Sequence, residues 1–398
     1  MKKNYDLIII GAGAAGLMSA LNAYLRGLDI LILEKNERIG QKILITGKGR
    51  CNITTANTDT HEFIKKFGDN GRFLYSALSQ FSIQDTIDFF NNYLNIETKI
   101  ERGNRIFPVS NSAREITETF SKVLQDVPIK FNTTVLEINK NNILTNNGRF
   151  YANNFLLATG GKSYPSTGST GDGYFLLKKI GHTIIKPTAA LTPFVCQENF
   201  IKELKGLSLR NVNISAGKIS LFGEALFTEN GLSGPIILDL SSRIKLPSKI
   251  SIDFKPALDH HKLDKRVLRD FHQAGTKIFK NSLDNLLPKK LIPVIIKLSK
   301  IDQTKPCNLI TKKERLNLIN LLKNFEVTAT SVVGFHKSIV TKGGVSLKEV
   351  EPKTMCSKIQ NNLYLAGEVL NLDGPTGGYN LQIAWSTGYV AGLNIKNE

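Results

Sequence analysis

Three glycines and one acid near the start of the chain have the types and spacing to hold a nucleotide diphosphate. They lie in Gly11-Ala-Gly13-Ala14-Ala15-Gly16, and Glu34, with Lys35 beside it, stands 23 residues after Gly11. The first glycine permits a tight turn and the second lets a pyrophosphate approach the backbone. The third lets a helix and a strand pack closely. A helix starting at Ala14 presents its positive end to the phosphates, and the Glu34 carboxylate can accept hydrogen bonds from a ribose. An acid at that place favours an unphosphorylated ribose, so FAD or NAD fits better than NADP. The elements needed to position these groups are present: Asp6–Ile10 and Leu28–Leu33 read as buried strands, and Ala14 to Arg26-Gly27 reads as the helix between them.

A second glycine-rich helix start lies more than 340 residues further on. The strand-like run Asn362–Ala366 leads into Gly367-Glu368, then Asp373-Gly374, then Gly377-Gly378-Tyr379-Asn380-Leu381 at the head of a helix. One long ligand gripped at two places explains both ends, and FAD is such a ligand. A helix N-terminus stabilises the negative charge that builds on a reduced flavin, and either Glu368 or Asp373 can hold ribityl hydroxyls.

The sequence resembles the bacterial flavoprotein family labelled BaiN-like or aminoacetone-oxidase-like, within the glutathione-reductase-type superfamily. The likeness rests on Gly11–Gly16, Thr46-Gly-Lys-Gly49-Arg50-Cys51-Asn52, Arg105–Pro108, Ala158-Thr159-Gly160-Gly-Lys-Ser-Tyr-Pro165, Gly231–Pro235, Thr341–Val345 and Ala366–Gln382. It implies an FAD-binding Rossmann-like domain made from both termini, with inserted segments forming a second region. It also implies that the Gly49-Arg50-Cys51-Asn52 loop belongs to the flavin surroundings, that Val135 contacts adenine through its backbone, and that Ala158-Thr159-Gly160 lies near the cofactor. The chain departs from the family pattern at Asn371, at Cys356 and at Glu229-Asn230.

The remaining reactive side chains carry less. Arg50 can neutralise a phosphate or an anionic substrate. Cys51 has no partner cysteine near it and reads as a small packed residue, not a redox thiol. The four cysteines contain no CxxC pair, which argues against zinc or a disulfide framework and suits a reducing compartment. His336 is the one histidine to consider as a proton donor, while His260-His261 reads as surface. No Ser-His-Asp or paired-carboxylate arrangement emerges from spacing, so the catalytic residues are left unassigned and no metal site is expected. No second strand–GxGxxG–helix unit is present, so NAD(P)H, if it is the electron donor, binds in another way.

The 398 residues suffice for two or three domains. The expected fold class is α/β. A Rossmann-like FAD-binding domain spans 1–190 and 350–398, a β-rich domain spans 191–255 and 331–349, and a helical insertion spans 256–330. Of the net charge of +18, +8 falls in that insertion. This raises a nucleic-acid-associated flavoprotein acting on RNA as the alternative to a hydride-transferring enzyme with a small organic substrate. Lysine without aromatic or arginine clustering is, however, a poor nucleic-acid footprint. No apolar run is long enough to span a membrane. Met1-Lys2-Lys3 before Leu7–Ile10 imitates a secretory leader, but Asp6 and the glycines after it fit one badly, so the expected location is the cytoplasm.

Overall fold

The computed structural model describes residues 3–396; Met1 and Lys2, the start of the leader-like stretch, lie outside them. The chain divides into two compact units, Met1–Ala190 with Phe335–Glu398, and Leu191–Gly334.

The first unit is built on a seven-stranded sheet. Asn4–Ile10 is central, with Ile30–Leu33 and then Ile129–Lys130 on one side, and Gly148–Leu157 on the other. Asn142–Thr145 and Val135–Ile138 extend the sheet as antiparallel strands, and Leu363–Leu365 pairs parallel to the end of Gly148–Leu157. Leu7–Ile10 and Ile30–Leu33 are buried at every position, as continuous apolar runs require when both sheet faces are covered. The register sets where the strands stop. Ile10 pairs with Leu33 and with Leu157, and Leu157 pairs with Leu365. Four strands therefore end level, and the chain leaving each one emerges at the same edge. Those exits are Gly11–Gly13, Glu34-Lys35, Ala158–Gly160 and Ala366–Glu368. Ligands of open α/β sheets bind at such an edge.

The two termini are locked together through small residues. Helix Ala14–Leu25 packs on helix Tyr379–Asn394, where a side chain at Gly388 would come within 2.5 Å of the Ala15 carbonyl oxygen. Ser19 Oγ also donates to the Gly388 carbonyl at 2.6 Å. At the first turn, Gly11 has φ +102°, and a Cβ there would sit 2.6 Å from the Ala158 carbonyl oxygen. Only glycine satisfies both constraints.

The second unit is a closed barrel of six strands: Phe194–Cys196, Gly231–Ser233, Ile219–Phe227, Ser208–Ala216, Ser248–Asp253 and Phe325–Val332. Helices His260–Ala274, Ile292–Ser299 and Lys312–Lys323 occupy the expected insertion. They have no core of their own: Leu263, Val267 and Leu322 share one cluster with Ile250 and Phe325 of the barrel. The segment 331–349, expected with the β-rich part, divides at residue 334. From Phe335 the chain groups with the first unit, because Val340–Val345 pairs antiparallel with Ile184–Ala190.

Candidate active site

The level strand ends enclose a cleft in the first unit. Fourteen of the expected residues line it: Gly11, Gly13, Ala14, Ala15, Glu34, Lys35, Val135, Ala158, Thr159, Gly160, Gly367, Glu368, Asn380 and Leu381. Gly16 lies behind it, where a Cβ would come within 2.0 Å of the Gly11 carbonyl oxygen and force helix and strand apart.

At the near end, Gly13 heads helix Ala14–Leu25 with no side-chain cap, so the first-turn amides stay available to an anion. A Cβ at Gly13 would meet nothing within 4 Å: the space beside it is open. Glu34 is 7% exposed. Its carboxylate accepts from the amide of Ala12 at 2.8 Å, from the amide of Asn36 at 2.9 Å and from the Asn36 side chain at 2.8 Å. With about four acceptor positions on a carboxylate, these bonds fix the group and leave room for one hydroxyl. Lys35 pairs with Asp172 at 2.5 Å on the rim. Thr133 and Thr134 line the cleft beside Val135, and the Thr133 amide donates to the Glu34 carbonyl.

The far end is held by side chains distant in sequence. Lys42, on the short helix Gln41–Ile45, donates to Glu368 Oε2 and to Ser163 Oγ, each at 2.5 Å. Glu368 Oε1 accepts from Ser163 Oγ and from the amide of Thr341, both at 2.8 Å. Burial pushes the Glu368 carboxyl up, but Lys42 and the neighbouring donors pull harder, and it lies below the ordinary carboxylate range. Asp373 is the opposite case. Burial holds its carboxyl above the usual range, Glu368 adds to the effect, and Lys342 only partly offsets it. Asp373 is half-buried and outside the lining. The Asn380 side chain is turned to structural work: its oxygen accepts from the Gly374 amide at 2.8 Å, and its nitrogen donates to the carbonyls of Gly374 and Pro375.

Gly49, Arg50, Cys51, Asn52 and Gly378 also lie outside the lining. Arg50 pairs with Glu101 at 2.8 Å and sits 4.1 Å over the Phe107 ring. Gly49 accepts the Ala113 amide through its carbonyl. Cys51 is fully buried, and burial pushes its thiol up to about 12, so it is no thiolate nucleophile at neutral pH. Asn52, with its amide oxygen facing helix Tyr379–Asn394, accepts the Gly378 amide at 2.8 Å. Gly378 in turn presses on Thr54, whose backbone a Cβ would meet at 2.3 Å. The Thr46–Asn52 loop thus props the second helix start from behind.

Spacing assigned no role to Lys42, Ser163 or Thr341, although Ser163 and Thr341 lie in stretches that carry the resemblance, because each finds its partner across the fold. The same holds for a sealed Ser–His–Glu arrangement. His182 Nε2 lies 2.9 Å from Ser357 Oγ, and Nδ1 lies 3.0 Å from Glu349 Oε2. It is not a hydrolytic site, since Ser357 is 3% exposed and its oxygen already accepts from the amides of Ile359 and Gln360. His336, by contrast, is exposed and outside the cleft lining. Among the described residues no cluster could hold a metal ion, and no helix is long and apolar enough to cross a membrane.

The cleft fits FAD on its own geometry. It has open space at an uncapped helix start, a fixed carboxylate with one acceptor position left, and a second helix start further along. Comparison with known proteins agrees. The model of a family described as HI0933-like protein Rossmann domain matches residues 5–394. A 3-dehydro-bile acid delta(4,6)-reductase from Clostridium scindens is 34% identical over 405 residues, covering 96% of this chain and 97% of that protein. A ribosomal RNA dihydrouridine synthase from Haemophilus influenzae is 31% identical over 412 residues, covering both chains in full at 100%. Among solved structures, the 3-ketosteroid-delta4-(5alpha)-dehydrogenase of Rhodococcus jostii RHA1 shares the fold at a TM-score of 0.50 and 14% identity, covering 100% of this chain and 98% of that one. Matched end to end around this cleft, the chain belongs to the HI0933-like Rossmann family and is an FAD-dependent oxidoreductase.

Proposed function

We propose that the chain reduces an electron-poor carbon–carbon double bond conjugated to a carbonyl, with NADH or NADPH as the source of hydride. The single observation that carries the flavin part is that two helix starts, one with Gly13, Ala14 and Ala15 and the other with Asn380 and Leu381, line one cleft. The reaction class comes from the relatives' names. A 3-dehydro bile acid with delta(4,6) unsaturation carries a double bond conjugated to its ketone. Dihydrouridine is uridine saturated at the bond conjugated to a ring carbonyl. The two substrates differ, but conjugate reduction of either bond by hydride calls for hydride at the carbon remote from the carbonyl and a proton at the near one.

In this reading Gly11, Gly13 and the amides of Ala14 and Ala15 hold the pyrophosphate, Glu34 holds the ribose, and Thr133–Val135 flank the adenine. Ala158, Thr159 and Gly160 lie between the two ends, and Gly367-Glu368 belong with Lys42 to the far end. The start of helix Tyr379–Asn394, with Leu381 and Ile383, forms the far end with Ile339 and Val340, whose apolar side chains exclude water from a reacting centre. FAD, when bound, supplies the hydride chemistry. The small-molecule substrate is favoured over RNA because several basic groups of segment 256–330 are spent internally: Arg315 on Asp264, Arg266 on Asp270 and Lys305 on Glu314. The four cysteines are free, which suits the cytoplasm.

The test is anaerobic. Purified protein is reduced with NADH or with NADPH while the flavin absorbance is followed, then offered a 3-oxo-4,6-diene steroid or a uridine-containing RNA. Reoxidation by the steroid supports the proposal, and reoxidation by RNA alone moves the substrate to the nucleic-acid class. Protein with no flavin band that also fails to bind added FAD overturns the reading at its root.

A further inference from the structure

At the far end of the cleft Lys42 keeps a donor in reserve, and it is charged. A lysine ammonium has three N–H donors. Lys42 spends two, on Glu368 Oε2 and Ser163 Oγ, and it lines the cleft. Glu368 accepts from Lys42, Ser163 and the Thr341 amide, so the carboxylate is held in place beside the remaining Lys42 donor. The corner is also built to hold its position. Thr341 Oγ1 accepts from the amides of Lys162 and Ser163 at 2.7 and 3.1 Å. Gly161 leaves no space there, since a Cβ would come within 2.4 Å of the same Thr341 oxygen. Three chain segments, at 42, 161–163 and 341, thus clamp the Lys42–Glu368 pair. The near end already serves the phosphates through the uncapped start at Gly13.

We propose that Lys42 directs its remaining N–H and its charge at the flavin ring, and so sets how readily the bound cofactor accepts electrons. The inference rests on the FAD reading above. Reduction of the ring by two electrons with uptake of one proton leaves one added negative charge. A fixed ammonium favours that form over the oxidised one, and any differential affinity for the two forms appears directly in the potential. Glu368 and Ser163 act as positioning residues for the ammonium, and the carboxylate tempers its charge.

The experiment measures the midpoint potential of bound FAD by dithionite titration against reference dyes, together with the affinity for oxidised FAD. The proteins compared are wild type, Lys42→Arg, Lys42→Met and the double variant Lys42→Met with Glu368→Gln. Lys42→Met is expected to lower the ratio of reduced to oxidised affinity about tenfold, which is about 30 mV for a two-electron couple. Lys42→Arg keeps the wild-type potential. The double variant leaves no carboxylate buried without its partner, so it stays measurable if Lys42→Met folds poorly, and it also shifts to more negative potential. Weaker FAD binding in Lys42→Met with an unchanged potential overturns the inference, because the ammonium then serves the phosphates. A double variant at the wild-type potential overturns it equally. Wild-type protein that binds no FAD removes the flavin reading itself, a failure seen before any variant is made.

Discussion

The two ends of the cleft solve the same problem with opposite resources. At the near end the binding capacity is left open: Gly13 faces empty space, the helix start has no cap, and Glu34 keeps one acceptor position free. At the far end the side chains are tied to one another across the fold. Glu368 accepts from Lys42, Ser163 and Thr341, Asn380 staples the Gly374-Pro375 turn, and Asn52 holds the Gly378 amide. The near end binds by what it lacks, and the far end by how firmly its backbone is placed. Substitution at Gly13 should therefore cost affinity while sparing the fold, and substitution of the interlocked far-end side chains should cost stability first.

The largest expected effect is at Gly13. Its φ of −86° suits any residue, and a Cβ there touches nothing, so Gly13→Val fills the open space without straining the chain. FAD binding is expected to be abolished while thermal unfolding of the FAD-free proteins stays at the wild-type temperature. A variant that unfolds early makes Gly13 a packing residue, and the contrast between the ends fails. Glu34→Ala comes next. Loss of a hydrogen bond to a charged group is worth about 1.5–3 kcal/mol, so the dissociation constant for FAD should rise about 10- to 100-fold in a fluorescence titration.

At the far end the probe is Gln382, which is fully buried. It accepts from Thr54 Oγ1 at 2.5 Å and donates to Thr86 Oγ1 at 2.7 Å and Ser386 Oγ at 2.9 Å, tying helix Tyr379–Asn394 to its surroundings. Gln382→Ala strands those hydroxyls, and stability in a urea titration should fall by about 1–3 kcal/mol. An affinity loss larger than the stability loss would blur the distinction between the ends.

The same contrast explains what could be read without a structure. Gly11, Gly13, Gly16 and Glu34 act within one strand–helix–strand unit, so spacing along the chain is spacing in space, and their placement comes from local rules. Glu368 and Asn380 were legible as members of a glycine-rich segment, but not the use made of their side chains. The Lys42 partner of Glu368 is 326 residues away, and although Thr341 heads one of the stretches that carry the resemblance, nothing along the chain pairs it or Lys42 with Glu368. The Thr46–Asn52 loop stands out in sequence for its glycines and its cysteine, yet Thr46 lines the cleft while Asn52, outside the lining, supports the second helix start. The boundary at 334 was hidden for a related reason: Val340–Val345 has the β character of the barrel strands, and only its pairing with Ile184–Ala190 assigns it to the first unit.

The smallest effect belongs to a polar network apart from both ends. Burial holds the His182 imidazole below its ordinary value near 6.5, although Glu349 beside it pulls the other way. Burial pushes the Glu349 carboxyl up, but the Thr183 donors and His182 bring it below its ordinary range. The unfolded chain therefore binds more protons than the native one, first through the histidine and then, in stronger acid, through the glutamate. The stability due to His182 is fully present above about pH 6.5 and is lost as pH falls from there to its depressed native value. The unfolding temperature of wild type should drop between pH 7 and 6, while His182→Asn, with a lower starting temperature, should follow a flatter line over that interval. A wild-type line flatter than that of His182→Asn would mean that His182 is protonated in the native state, and a positive charge would then stand sealed between Ser357 and Glu349. That outcome would turn a staple into a buried ion pair, and it would place the strongest electrostatics of the first unit away from its cleft.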